Sequence, residues 1–168
     1  MEKIGIFYTT LKGRTEYIGK LIKKEVEEQN KIMCDIYNIH DKYKNMKEYE
    51  LIILLTPTYG AGALPKEWNN VLEYLESENI KEKKFALCGT GNGGFYAATF
   101  VNGLRDLYDF LKDKDAKIIG ETNKNDYEYV KSRSEVNGKF IGLAVDLMFS
   151  EEVIKKNIDK WIKNIIKE

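Results

Sequence analysis

The 168-residue chain has few of the residues from which metal and acid–base centres are usually built. Its two cysteines, Cys34 and Cys88, lie far apart in apolar runs and match no CxxC or metal-ligand spacing, so we expect buried, reduced thiols. His40 is the only histidine, and no acid or nucleophile pattern accompanies it. The sequence therefore indicates neither a metal centre nor a histidine-dependent catalytic centre.

The chain also lacks an excess of charge and a long apolar segment. Lysine plus arginine and aspartate plus glutamate both number 27, so nothing points to nucleic acid or an anionic membrane as a partner. No run approaches the ~20 apolar residues of a membrane-spanning helix. The first residues, MEKIGIFYTT, are too short an apolar stretch for a signal peptide. We expect a cytoplasmic protein with one domain over residues 1–168.

Apolar strand-like runs alternate along the chain with amphipathic helical patterns. This alternation predicts an α/β fold with a doubly wound, five-stranded parallel sheet and helices on both faces. A polar stretch, 121–138, exceeds the usual loop length and is either functional or a lobe on the edge strand. Strands are predicted over 3–8, 31–39, 50–57, 83–89, 116–120 and 139–146, and helices over 16–29, 65–77, 97–113 and 151–167, the last capped by Ser150.

Three loops follow the first, third and fourth predicted strands, and in an open parallel sheet such loops meet at the edge where ligands bind. They are TTLKGRT, TPTYGAGALP and GTGNGGFY. The first precedes a helix, and the N–H groups at a helix N-terminus favour a phosphate. This loop lacks the spacing of a Walker motif, and the alternative is a threonine-rich helix cap with nothing bound. The second carries Tyr59 between small residues, and is either a surface for stacking on a planar ligand or an ordinary flexible loop.

The third loop contains GTGNGG, which matches the G-x-G-x-x-G of a dinucleotide-binding turn. That turn follows the first strand of its unit, and an acid ends the next strand about 20 residues later. Here the match follows the fourth strand, and Asp109, about 20 residues on, lies in a predicted helix. The dinucleotide interpretation therefore fails. One loop suited to phosphate and two with aromatics, Tyr59 and Tyr96, predict a mononucleotide with a planar ring, for which FMN is the natural candidate.

Three motifs resemble those of the flavodoxin family over nearly the whole chain. They are T-P-T-Y-G-x-G-x-L-P, G-T-G-x-x-x-x-Y-A-x-x-F and D-Y-E-Y…GKFIGLAVD, the last resembling the long-chain branch, in which an insert, here about 121–138, splits the final strand. The resemblance implies strand order 2-1-3-4-5 and bound FMN. It implies a low-potential one-electron carrier cycling between semiquinone and hydroquinone, not an enzyme. It also implies a monomer that meets its redox partners transiently under electrostatic guidance.

The resemblance assigns cofactor-binding residues to three loops and one strand end, and no catalytic residue or metal ligand. The phosphate loop comprises Thr9, Thr10, Leu11, Lys12, Gly13, Arg14 and Thr15. The two ring loops comprise Pro57, Thr58, Tyr59, Gly60 and Ala61, and Thr90, Gly91, Asn92 and Tyr96, with Tyr96 as the stacking tyrosine. Asp146 matches an aspartate near the ribityl chain of some members.

The chain departs from the family pattern mainly in charge. Lys12 stands where the family usually has threonine, Arg14 follows the glycine of the phosphate loop, and Asn92 replaces a usual aspartate. The second loop has lost most of its usual acids, and Tyr59 stands where tryptophan is common. We therefore expect Lys12 to pair with the FMN phosphate and the hydroquinone to be less destabilised than in acidic relatives.

Three other functions compete with this interpretation. An FMN-dependent NAD(P)H:quinone oxidoreductase of similar fold needs a nicotinamide site, and no motif supplies one. An interaction module with one partner, such as an activator of a metalloenzyme, is a second alternative. A receiver domain shares the strand order but needs an acidic pocket after the first strand, where this chain has Tyr8, Thr9 and Thr10.

Overall fold

A six-stranded parallel sheet forms the centre of the computed structural model, which describes residues 3–168. The strands are β1 (Lys3–Tyr8), β2 (Met33–Asn38), β3 (Leu51–Pro57), β4 (Lys84–Gly91), β5 (Lys117–Ile119), β6 (Thr122–Asn123), β7 (Glu135–Val136), β8 (Lys139–Phe140) and β9 (Leu143–Asp146). The helices are α1 (Arg14–Asn30), α2 (Ile39–Lys42), α3 (Trp68–Ser77), α4 (Gly103–Asp113) and α5 (Glu151–Lys167), with a 3₁₀ helix over Tyr43–Glu48.

The fifth position of the sheet is shared by two short strands. The order is β2-β1-β3-β4, after which β5 pairs with the beginning of β4 and β9 pairs with its end. This confirms the predicted order 2-1-3-4-5 and the predicted split of the last strand. The insert between the two halves, 120–142, folds into a three-stranded antiparallel sheet in the order β6-β8-β7.

The insert ends later than the sequence pattern predicts. The expected single strand over 139–146 is broken into β8 and β9 by Ile141 and Gly142. A Cβ at Gly142 would lie 2.1 Å from the carbonyl oxygen of Leu87, so glycine lets the backbone pass directly against β4 before it joins the sheet. Phe140 is fully buried beneath the insert and belongs to its small sheet.

Two apolar cores lie on opposite faces of the sheet, as the helix patterns predict. Helices α1 and α5 cover one face through side chains such as Ile22 and Trp161. Helices α3 and α4 cover the other through Trp68 and Leu107. Strands β3 and β4 are buried on both faces, which explains their nearly continuous apolar sequence.

Several local predictions are confirmed in the structure. The Ser150 side chain accepts a hydrogen bond from Val153 N (3.3 Å) and so caps α5. Cys34 and Cys88 are free and buried. Burial raises the pKa of both thiols, that of Cys34 to about 12, so both stay protonated at neutral pH.

No helix within residues 3–168 has the length and apolar content needed to cross a bilayer.

Two helices begin later than predicted. Helix α3 begins at Trp68, because Pro65 to Glu67 form a turn in which Trp68 N donates to Pro65 O. Helix α4 begins at Gly103, whereas the apolar spacing predicts a start at 97. Val101 has φ +48°, which no helical residue adopts, and the preceding residues form successive turns. The segment before α4 is therefore part of the third loop.

Candidate cofactor site

The loops after β1, β3 and β4 meet at one edge of the sheet and enclose a groove of about 340 Å³. Each predicted loop contributes to the lining, so the structure brings together the three segments that the sequence places at this edge. The lining residues are Leu11, Lys12, Thr58, Tyr59, Gly60, Gly91, Asn92, Tyr96, Thr99, Phe100 and Val101. This lining contains one cation and no carboxylate.

The loop after β1 leads into a helix whose first turn has no side-chain cap. Thr10 Oγ1 accepts a hydrogen bond from Gly13 N (3.0 Å), which closes the turn. Gly13, the N-cap of α1, has φ +85° and no side chain to bond the first helical N–H groups. These N–H groups have no partner within the helix and lie at the positive end of its dipole. The turn therefore offers donors to an anion.

Two cations lie beside this helix terminus. Lys12 and Arg14 are exposed, and neither takes part in an ion pair among residues 3–168. Lys12 also lines a second groove of about 370 Å³ between α1 and α5, together with Gly13 and Arg14. The one carboxylate that lines this second groove, that of Glu151, pairs with Lys155 (2.6 Å) instead of with Lys12 or Arg14.

Two buried threonines tie the first loop to the sheet. Thr9 N donates to Leu55 O (3.2 Å), which holds the loop to the end of β3. Thr15 Oγ1 lies 2.9 Å from Thr90 Oγ1 in a buried contact between the first turn of α1 and the end of β4. These contacts set the position of the helix terminus relative to the third loop.

The second loop is a narrow hairpin closed by backbone hydrogen bonds. Tyr59 N donates to Ala63 O (2.9 Å) and Ala63 N donates to Tyr59 O (2.8 Å). Gly60 is exposed, has φ +49°, and no atom beyond its chain neighbours lies within 4 Å of where a Cβ would be, and a glycine peptide can turn at little conformational cost. Ala61 is exposed at the tip of the hairpin and does not line the groove.

The ring of Tyr59 lines the groove, while its hydroxyl is buried and finds no hydrogen-bond partner among residues 3–168. Burial raises the pKa of Tyr59, and the nearby carboxylate of Glu67 raises it further. Tyr59 therefore offers the groove a neutral aromatic face. Pro57 ends β3 beside Thr90 and supports this loop without lining the groove.

The third loop presents two exposed aromatic side chains. Asn92 Oδ1 accepts from Phe95 N (2.8 Å) and Asn92 O accepts from Tyr96 N (2.9 Å), so Asn92 shapes the turn that carries both rings. Phe95 is 80% exposed and Tyr96 is 63% exposed. Tyr96 faces the same groove as Tyr59, from a different loop.

Asp146 does not line the groove. It ends β9, is only 4% exposed, and its Oδ1 accepts from Met148 N (2.9 Å). A Cβ at Gly93 would lie 2.7 Å from Asp146 Oδ2, so the carboxylate sits directly behind the third loop. It faces a separate cavity of about 570 Å³ shared with the insert. Asp146 is in register with Gly91 of β4, so it lies close behind the third loop without lining the groove.

Three groove residues, Thr99, Phe100 and Val101, were not predicted from the sequence. The apolar spacing assigned them to α4, whereas the structure places them in the third loop. The Asn-Gly pair at 102–103 is a turn signal that indicates the late helix start. Among residues 3–168, no group of three or more metal-ligating side chains comes together, here or elsewhere.

Comparisons with known proteins agree with this geometry. The flavodoxin family model matches residues 6–161. The flavodoxin of Helicobacter pylori is 32% identical over 98% of this chain and 97% of its own. The flavodoxin of Buchnera aphidicola is 33% identical over 99% of this chain and 96% of its own. The crystal structure of Fusobacterium nucleatum flavodoxin bound to flavin mononucleotide is 35% identical, covers 99% of this chain and 98% of its own, and superposes with a TM-score of 0.90.

The family match extends from within β1 into α5, so it includes the second half of β1, every other strand and all three loops of the groove. With the sheet order, the uncapped α1 terminus and the aromatic groove already described, it leaves one assignment: this chain belongs to the flavodoxin family.

Proposed function

We propose that the chain carries single electrons on FMN held in the groove between the three loops. The observation that carries this proposal is that an uncapped, cation-flanked helix terminus opens beside a groove walled by Tyr59 and Tyr96. The terminus suits a phosphate and the groove suits a planar ring. The solved flavodoxin of Fusobacterium nucleatum, bound to flavin mononucleotide, supports the same cofactor.

The phosphate belongs, in this proposal, to the loop after β1. Backbone N–H groups of the first turn of α1 donate to it, the hydroxyl of Thr15 lies in the same turn, and that of Thr10 lies in the loop just before it. Lys12 and Arg14 add charge-assisted contacts from the exposed side. The remaining members of the loop, Thr9, Leu11 and Gly13, contribute through backbone position rather than side-chain charge.

The ring belongs between the second and third loops. Tyr59 and Tyr96 exclude water from its faces, and backbone at Gly60, Gly91 and Asn92 lies along its edges, with Ala61 at the exposed tip of the hairpin. Thr58 Oγ1 accepts from Gly103 N (3.0 Å) and so joins the second loop to the beginning of α4. Pro57 and Thr90 set the strand ends from which both loops depart. Asp146 acts from behind Gly93, through the position of the third loop.

FMN supplies the one-electron chemistry when bound. The residues that line the groove determine how much a negative charge on the reduced ring is destabilised. No carboxylate lines the groove, so the protein adds little repulsion to a reduced, anionic ring. The Gly60 peptide has room to turn its carbonyl toward a proton on the ring edge. Exposed Phe95 and Tyr96 leave the outer edge of the site accessible to a partner.

The partners we propose are other redox proteins that dock transiently at the mouth of the groove. Leu11 and Tyr96 are exposed apolar side chains there, with Lys12 in the same lining, and exposed Phe95 precedes Tyr96 in the third loop. A small apolar contact with a charged rim favours rapid, electrostatically guided encounters over a lasting complex. The chain would then act as a monomer, because this surface must stay open to successive partners.

Three further assignments accompany the proposal. We treat residues 1–168 as one FMN-binding domain, with the insert as a lobe on its edge strand. The split of the last strand supports the long-chain branch of the family. The buried free thiols of Cys34 and Cys88 suit a reducing compartment, which supports a cytoplasmic location.

Stepwise reduction of the purified holoprotein, followed by absorption spectroscopy, tests the function. We expect a flavin spectrum that disappears in two resolved one-electron stages, with no reduction when NAD(P)H is mixed with the protein. Direct two-electron reduction by NAD(P)H, followed by transfer to a quinone, would instead establish the oxidoreductase alternative. Sedimentation of the same sample tests the monomeric state.

A further inference from the structure

The third loop contains a backbone conformation that its own sequence does not favour. Val101 has φ +48°, and a β-branched residue is a strong outlier in that region. Val101 and its neighbour Phe100 both line the groove. Such a conformation persists only where surrounding structure holds it in place.

The insert supplies that support through one short segment, 130–134. Val130 N and Lys131 N both donate to Ala97 O, each at 2.9 Å. Ser132 Oγ donates to Phe100 O (2.6 Å), and Ser134 Oγ donates to Val101 O (2.7 Å). Arg133 N donates to Asn102 Oδ1 (2.7 Å), so every residue of the segment bonds the loop.

The two serine contacts are buried. Ser134 is 0% exposed and Ser132 is 9% exposed. Ser132 Oγ also accepts from Ser134 N (3.1 Å), which joins the two serines to each other. Phe100 O has no other donor among residues 3–168, so the loss of the Ser132 hydroxyl would leave it unpaired in a buried position. Val101 O also accepts from Leu104 N (3.2 Å), and the loss of the Ser134 hydroxyl would remove the bond that ties it to the insert.

Aromatic packing holds the same loop from the same side. The Phe100 ring lies 5.5 Å from the Tyr129 ring and 5.9 Å from the Phe140 ring, measured between centroids. Both partners belong to the insert, and neither lines the groove. The insert therefore contacts the back of the loop whose front faces the groove.

We infer that Ser132 and Ser134 are positioning residues for the ring-binding loop: they hold Phe100 and Val101 in the binding-competent shape before the cofactor arrives. This inference rests on the proposed function, since it concerns the same groove. Without the hydroxyls, only a fraction of the apoprotein has the competent loop, and apparent affinity falls by that fraction. The loss of affinity should come from the contacts with the ring, so it should be the same for a ligand that has no phosphate.

Titration of the apoprotein with FMN and with riboflavin, which lacks the phosphate, tests this. We expect Ser134→Ala and Ser132→Ala each to weaken both ligands about tenfold, by the same factor for each. Ser132→Thr, which keeps the hydroxyl, should restore affinity. Thr122→Val is the matched control, because Thr122 Oγ1 makes the same kind of bond to Gly142 O (2.6 Å) within the insert but away from the loop.

Hydrogen exchange of apoprotein amides over 96–102 provides a readout that does not depend on the flavin. We expect faster exchange there in both alanine variants and wild-type exchange there in Thr122→Val.

If wild type binds FMN and the alanine variants match it in affinity and loop exchange, the inference is wrong while the proposed function stands. If wild type binds neither ligand, the proposed function fails, and the exchange data alone decide whether the serines hold the loop. If one alanine variant is too unstable to titrate, the FMN and riboflavin affinities of the other variant and the loop exchange decide the inference.

Discussion

Thr15 and Thr90 meet hydroxyl to hydroxyl at 2.9 Å, in a buried contact that joins the first turn of α1 to the end of β4. The contact links the loop suited to a phosphate with the strand that leads into the ring loop. Since each hydroxyl has the other as its partner, removing one leaves the other without a bond in a buried position.

Replacing either threonine by valine should therefore destabilise the apoprotein by about 1–3 kcal/mol. The double variant, Thr15→Val with Thr90→Val, keeps the shape and leaves no unpaired hydroxyl, so it should lose less than the sum of the two singles. Urea unfolding of the four proteins measures the coupling. Strictly additive losses would show that the hydroxyls do not act as a pair.

Lys12 should contribute to phosphate binding through charge. Lys12→Thr is expected to weaken FMN up to about fivefold at low salt, because an exposed ion pair is worth little more than that. The loss should shrink as salt is added. Riboflavin binding serves as the internal control and should not change. Equal FMN affinity and equal salt dependence in the variant and the wild type would place Lys12 outside the site.

Asn92 should influence the reduction potential of the cofactor. Asn92→Asp keeps an oxygen acceptor for Phe95 N and adds a negative charge at the groove. We expect the lower of the two one-electron potentials to fall by roughly tens of millivolts, with a smaller fall at high salt. Asn92→Ala, which adds no charge, separates this effect from loss of the turn. A potential that does not change in Asn92→Asp would rule out the charge argument.

Asp35 should make stability depend on pH. Hydrogen bonds from Lys3 (2.7 Å) and Tyr49 (2.6 Å) lower the pKa of Asp35 below its usual range. A lowered folded-state pKa adds stability above the unfolded value of about 4, and that stability is lost as pH falls through the folded value. Asp35→Asn should therefore cost about 1 kcal/mol at pH 7 and progressively less in acid.

Glu82 provides the comparison for this pH effect. Its pKa is also lowered, by a hydrogen bond from Lys117, but the Glu82 side chain is 80% exposed. Glu82→Gln should consequently change the free energy of unfolding very little at any pH, since exposed pairs contribute little. Urea unfolding from pH 2 to pH 7 distinguishes the two. Parallel curves for wild type and Asp35→Asn would contradict the assignment.

Much of the fold was predictable because it is specified by sequence patterns that act between residues close together in the chain. The continuous apolar run of β3 excludes any position except the middle of a covered sheet. Ser150 caps α5 through a contact three residues away. The meeting of the three loops also followed from the sequence, since parallel strands end at one edge.

The third loop has a conformation that local sequence patterns do not predict. The spacing of Phe100, Leu104 and Leu107 favours one helix from 97, and that prediction was wrong at its N-terminal end. Phe100 O is held instead by Ser132, which lies 32 residues away in the chain. Asp146 stays a predicted cofactor-site residue, and only the tertiary structure shows that its carboxylate lies behind the third loop, next to Gly93.

The sequence by itself determined the order of strands and helices, the buried faces and the three loops at the binding edge, because apolar periodicity and turn residues act over a few neighbours. Only the tertiary structure decided which residues of the third loop face the groove. The reason is that the hydrogen bonds holding Phe100 and Val101 come from the insert. Bonds between distant segments depend on how those segments pack, which no local pattern specifies.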